Sequence, residues 1–196
     1  APKRQFVRLL DVSNSKHFSV FFRHHWFMEE LTWLPSGKFQ RLLRHGLGRV
    51  LRKVWNKPLP QGITPYWGSA YWALTTECAS GLLDYVDANP EYVKWARSSF
   101  ATDEHFFHTL LANSPWAQEA LGVMSFTEHS GKSVAALANL HLIHPTLRKV
   151  YELGDFREIS RSDRFFIRKV ASGRSDSLLQ RIDTELLGLR PGPPGP

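Results

Sequence analysis

Cysteine is almost absent: Cys78 is the only one in 196 residues. No internal disulfide can form, which points to a reducing compartment and away from a cross-linked secreted scaffold. No apolar run approaches the roughly 18 residues of a membrane-spanning helix. The opening residues, APKRQFVRLL, lack the long apolar core and small-residue cleavage site of a signal peptide. There is no Asn-x-Ser/Thr glycosylation acceptor and no HExxH metal motif. Acids are missing from one long stretch. None occurs between Glu30 and Glu77, whereas Lys38, Arg41, Arg44, Arg49, Arg52, Lys53 and Lys57 all fall there.

What remains is a globular chain. Hydrophobic residues make up 42% and aromatics 13%, enough for a core in one domain or slightly more. The formal charge is +7. The acid-free stretch accounts for much of it, and a field of that sign draws phosphate groups: nucleic acid, anionic lipid or a nucleotide-type ligand. A solvated basic helix face is the plainer alternative.

The pattern along the chain mixes strands and helices. QFVRLLDVS reads as a strand that stops at Ser-Asn-Ser. The aromatic HFSVFFRHHWFMEELTWL fits strand or helix, and its polar cluster of His24, His25, Glu29 and Glu30 reads as satisfied locally or facing solvent. KFQRLLRHGLGRVLRKVW has helical spacing weakened by Gly46 and Gly48. ITPYWGSAYWALT is strand-like with Gly68 and Ser69 at its centre, where a glycine often marks a bulge or a ligand's approach. Helices follow over TTECASGLLDYVDAN, stopped by Asn89-Pro90, and over EYVKWARSSF. Thr102 is placed to N-cap the next helix, with Asp103 and Glu104 at its positive end.

Beyond that, ANLHLIHP reads as a strand, GDFREISRSD as a short helix and RFFIRKV as a strand. SDSLLQRIDTELLGL reads as a helix with Leu178, Leu179, Ile182, Leu186 and Leu187 on one side. A disordered tail is expected over 189–196, leaving 1–188 as a single domain. The class is α/β or α+β.

Three stretches bear on chemistry. In TDEHFFHTLLANSP, Glu104 and His108 stand four apart and share a helix face. With Asp103 and His105 they suit a metal site, a general base, or acids that merely complement the helix dipole; residue chemistry leaves all three open. Gly-Lys-Ser within EHSGKSV is no phosphate loop, because Phe126 stands where the first glycine belongs. Arg168 and Lys169 end a strand as adjacent cations, a fork of donors beside a point charge, which suits a diphosphate or an exposed pair.

Taken in order, GSAYWALT (68–75), TDEHFFHTLLANSP (102–115) and GDFREISRSDRFFIRKV (154–170) resemble the core-2/I-branching β-1,6-N-acetylglucosaminyltransferase and peptide O-xylosyltransferase family. The resemblance covers about residues 60–185 and implies the C-terminal part of a GT-A-like glycosyltransferase fold: a mixed sheet with flanking helices, its N-terminal nucleotide-binding half missing. It implies an inverting, metal-independent enzyme; the single cysteine argues against the family's disulfide-rich Golgi-lumen members and for a bacterial, cytoplasmic relative. The donor is a UDP-sugar carrying N-acetylglucosamine or xylose, and the acceptor is a glycan or protein. No cofactor and no nucleic-acid partner are implied.

Glu104 falls on the family's catalytic base. Arg168 and Lys169 fall on the cations that hold the donor diphosphate in place of a metal. Gly68 and Ser69 fall at the turn beside the donor sugar, and Asp103 joins them among the substrate-binding residues. His141, with Arg148, is the nearest equivalent of a further basic residue that the family carries before its Gly-Asp helix. His144-Pro145 departs from the family's Asp-Trp at that strand. Two rival readings stand beside this one. In one, a basic module binds anionic membrane or nucleic acid through residues 19–57, which also allows the transferase peripheral membrane contact. In the other, a metal-dependent hydrolase uses Glu104, His105 and His108.

Overall fold

The computed structural model describes residues 4–26, 57–129 and 134–189, together with Gly37, Lys38, Gly46 and Val50. Apart from Lys38, Gly46 and Val50, the expected basic helix over 38–55 lies outside the described residues, as does the tail from 190 onward. The described fold is mixed α/β, with a three-stranded mixed sheet and a two-stranded parallel sheet. The chain divides into two compact units, Ala1–Ser130 and Gly131–Pro196.

In the first unit, β1 (Gln5–Asp11) is the central strand. Val7, Leu9 and Leu10 are buried, as a strand covered on both faces requires. β2 (Tyr66–Trp67) pairs with it antiparallel and β3 (Ala120–Ser125) pairs parallel. The long strand expected over 63–75 is therefore broken. Tyr66 and Trp67 pair with β1, residues 68–72 leave the ladder, and contact resumes only at the Phe6–Ala73 bridge.

The aromatic stretch resolves in part as α1 (Lys16–Arg23), with the Ser15 hydroxyl accepting from the Phe18 amide at 3.2 Å. Phe22 is its buried residue. α2 (Thr76–Ala88) is capped by Thr75, and α3 (Pro90–Arg97) begins with proline at its first position. A 3-10 turn, Thr102–Glu104, then leads into α4 (Phe106–Ala112). Thr102 does not cap this helix: the turn is entered from Ala101 at φ 49°, and no side chain caps it. Asp103 and Glu104 thus stand on a tight turn set off from the helix proper.

One buried amide ties these elements together. Gln5 Nε2 donates to Glu119 Oε2 at 2.9 Å and to Thr75 Oγ1 at 3.3 Å, while Gln5 Oε1 accepts from the Thr75 amide at 3.0 Å. The start of β1, the cap of α2 and the 3-10 turn Pro115–Glu119 before β3 are held by that single side chain. It is fully buried, so each of its bonds is made away from water.

In the second unit, β4 (His141–Ile143) and β5 (Phe166–Arg168) run parallel, pairing His141 with Phe166 and Ile143 with Arg168. Strand alternation points Leu142 and Ile167 toward a core of Tyr151, Phe156, Ile159 and Leu178, and sends His141, Phe166 and Arg168 to the opposite face. A capping box of Glu152 and Asp155 opens a 3-10 turn, Leu153–Asp155, that leads into α5 (Phe156–Ser160). α6 (Asp176–Arg181) passes into a π turn, Ile182–Leu186. The apolar side expected along 175–189 is only partly used: Leu178 is buried, whereas Leu179, Leu186 and Leu187 are exposed.

Candidate functional site

Glu104 sits at the end of its 3-10 turn, half-buried. Two consecutive residues of β2 and the following loop hold it. The Gly68 amide donates to the Glu104 carbonyl at 2.9 Å. The Trp67 side chain hydrogen-bonds the carboxylate, which draws its pKa down. Burial, followed by the like charge of Asp103, outweighs this and holds the carboxyl above its ordinary value. A carboxylate so placed is a stronger base than one in open water and stays ionised only while the pH exceeds its raised pKa.

The Gly-Ser pair is fixed from the other side by α4. His108 Nε2 donates to the Ser69 carbonyl at 3.0 Å, since a carbonyl can only accept. A Cβ at position 68 would lie 2.3 Å from His108 Cδ2 and 2.7 Å from the Arg8 carbonyl oxygen. Glycine is needed here for lack of space rather than for an unusual dihedral. The Thr109 hydroxyl donates to the Tyr66 carbonyl and accepts from the Tyr66 amide, both at 3.1 Å, so α4 substitutes for a missing strand along this edge of β2. The pattern HTLL therefore carries both clamps.

The two histidines are interior groups. His105 is fully buried among Phe22, Trp95 and Trp67, with ring centroids 4.9, 5.8 and 5.9 Å away. Burial, with the nearby Lys57 and His108 charges, lowers its pKa to about 3; burial lowers that of His108 to about 4. Both are neutral at physiological pH. Among the described residues no group of three or more His, Cys, Asp or Glu side chains could hold a metal, so the expected alternative set of Glu104, His105 and His108 is not assembled.

Asp103 is exposed and lines a shallow cavity of about 420 Å³ with Arg97, Val93, Ala96, Phe106 and Phe107. Lys57, the last cation of the acid-free stretch, is withdrawn from solvent. Its ammonium donates to the Trp95 carbonyl and the Ser99 hydroxyl, each at 2.7 Å, and to the Ser98 hydroxyl at 3.2 Å. It also lies 5.2 Å from the Trp95 ring centroid. With no carboxylate to offset burial, its pKa falls to about 8. Lys57 closes the end of α3 and offers no charge to a phosphate surface; Arg41, Arg44, Arg49 and Arg52 lie outside the described residues.

The remaining predicted residues belong to the second unit. His141 stacks on Phe166, centroids 5.2 Å apart, and burial and the Arg168 charge lower its pKa. Arg168 ends β5 on the same face, and the exposed Lys169 follows, its carbonyl accepting from the Tyr151 amide at 2.9 Å. The predicted residues thus form two clusters: Gly68, Ser69, Asp103 and Glu104 in the first unit, and His141, Arg168 and Lys169 in the second. Trp67 was not among them, and His108 was read only as a metal ligand. Their adjacency to Gly68 and Glu104 in sequence was visible, but their contacts are tertiary.

No protein-family model matches the chain, and no curated protein matches it. Among the described residues, no helix is long and apolar enough to cross a membrane.

Proposed function

We propose that the chain is the acceptor-activating part of an inverting glycosyltransferase with a GT-A-like fold that works without a metal. The observation that carries this reading is Glu104: a half-buried carboxylate of raised pKa, clamped at its carbonyl by Gly68 and at its side chain by Trp67. Three ordered stretches that resemble the core-2/I-branching and O-xylosyltransferase family support reading this residue as the base.

In this reading Glu104 removes the proton from an acceptor hydroxyl. The hydroxyl oxygen attacks C1 of a UDP-sugar from the face opposite UDP. The bond from C1 to the phosphate oxygen breaks as the new glycosidic bond forms, and UDP leaves with the electron pair. The resemblance, taken alone, assigns the diphosphate to Arg168 and Lys169, the adjacent cations at the end of β5. His141, on β4 and on the sheet face that also carries Arg168, is assigned by the same resemblance as a further donor to that group. Glu104→Gln in the active protein tests the assignment: turnover falls by about 10²–10⁴-fold, the range for loss of a general base, while UDP binding is retained. EDTA leaves turnover unchanged; inhibition by EDTA would favour metal-assisted chemistry.

A further inference from the structure

The far end of α4 from Glu104 builds a second, separate cavity. It has a volume of about 470 Å³, within the roughly 300–1,000 Å³ span of small-molecule sites. Its walls come from the 61–63 loop, α2, and the Asn-Ser-Pro-Trp segment that follows α4. Its Asn-Ser-Pro part ends the stretch TDEHFFHTLLANSP and has no role in the transfer chemistry.

The cavity is a fixed feature. Asn113 Oδ1 accepts from the Thr64 amide at 3.1 Å, and Asn113 Nδ2 donates to the Thr64 carbonyl at 2.7 Å and to the Thr109 carbonyl at 2.8 Å. The loop is thereby pinned to the helix end. The Ser114 hydroxyl caps the next turn by accepting from the Trp116 amide at 3.3 Å. Trp116 in turn lies across α2 at Gly81, so close that a Cβ there would fall 2.1 Å from its Cη2. Gly81 is therefore a seat cut for one aromatic ring.

The lining selects a chemistry. It combines two aromatic side chains, Trp116 and Tyr85, with the exposed amide of Gln61. Among the described residues its lining has no Asp, Glu, Lys, Arg or His, although the chain carries an excess of seven positive charges. A phosphate or carboxylate ligand finds no counter-charge here. A wholly apolar ligand would make no use of the exposed Gln61 amide. A pyranose presents C–H faces to aromatic rings and hydroxyls around its rim, and so answers both features.

We propose that this cavity binds one uncharged sugar ring, through Trp116 and Tyr85 on its C–H faces and Gln61 on its hydroxyls. The proposal does not depend on Glu104 being a catalytic base: the ring would bind even if the chain transferred nothing.

The test is a titration of the 15N-labelled full chain, followed through backbone amide shifts, with the methyl β-glycosides of xylose, galactose and N-acetylglucosamine. Uridine, methyl glucuronide and indole serve as comparison probes. At least one neutral glycoside should shift the Gly62, Gly81 and Asn113 amides saturably. Its affinity should fall about tenfold in Gln61→Ala and in Tyr85→Ala, two exposed positions whose loss leaves the core intact, and in Trp116→Ala where that variant folds. Glu104→Gln should bind the same glycoside normally, which separates this site from the transfer site. The proposal is overturned if no neutral glycoside moves those amides, if uridine, glucuronide or indole alone moves them, or if Gln61→Ala and Tyr85→Ala bind as the parent does.

Discussion

The amide of Gly68 donates to the carbonyl of Glu104 at 2.9 Å, joining the loop after β2 to the acidic turn before α4. The next residue, Ser69, is held by His108 from that same helix. Two short stretches more than thirty residues apart in sequence thus meet at one point. The carboxylate that we assign to catalysis is positioned by backbone on one side and by indole on the other.

Gly68→Ala tests the closeness of this joint. The added methyl meets both a ring and a backbone oxygen, and the backbone oxygen cannot turn aside. A loss of about 1–3 kcal/mol in urea unfolding is expected, as for other overpacked sites. The double variant Gly68→Ala/His108→Ala should recover only part of it, because the Arg8 carbonyl remains.

Acid should loosen the same region. The folded pKa values of His105 and His108, about 3 and about 4, lie below the ordinary value of 6.5. Between those limits the unfolded chain binds more protons than the folded one, so stability falls as pH drops below about 6.5. From pH 7 to about pH 5 each histidine should remove roughly 2 kcal/mol. Urea midpoints measured across this range should show the drop, and His105→Phe should reduce it.

Lys57 gives a signature of the same sign at high pH. Its folded pKa of about 8 lies below the ordinary 10.5, so the unfolded state holds the extra proton between them. Its contribution to stability therefore improves as pH rises through that window, by an amount on the order of 2 kcal/mol. Unfolding curves of the parent and of Lys57→Met, compared from about pH 8 to about pH 10, should diverge in the parent's favour.

Trp67→Phe removes the indole donor and keeps most of the ring's packing among Phe18, Phe21 and Phe22. Glu104 then loses the interaction that lowers its pKa. Because the base works only when ionised, the acidic limb of kcat/KM should move to higher pH. A variant that lost activity uniformly at every pH would assign Trp67 to packing alone.

The sequence carried its local signals well. Ser-Asn-Ser ended β1, and Asn89-Pro90 separated α2 from α3, because caps and prolines act within a few residues. β3 was not legible. Its short run, with Gly122 inside, becomes a strand by pairing with β1, over a hundred residues away in the chain. The same limit applies at the candidate site. Glu104 and Gly68 stood out by type and motif, but His108 looked like a metal ligand until its Nε2 was found on a backbone carbonyl. Lys57 was one cation in a basic run, and only the Trp95 carbonyl and two serine hydroxyls around it reveal that it is interior.

The central claim rests on Glu104 and is tested most directly by UDP release. The active protein would be supplied with UDP-xylose or UDP-N-acetylglucosamine and a mixture of glycan and serine-peptide acceptors, and compared with Glu104→Gln under the same conditions. The account predicts acceptor-dependent UDP release that falls by about 10²–10⁴-fold in the variant, with UDP affinity held within about twofold. Release at near-parental rates in Glu104→Gln, or none from either donor in the parent, would contradict it.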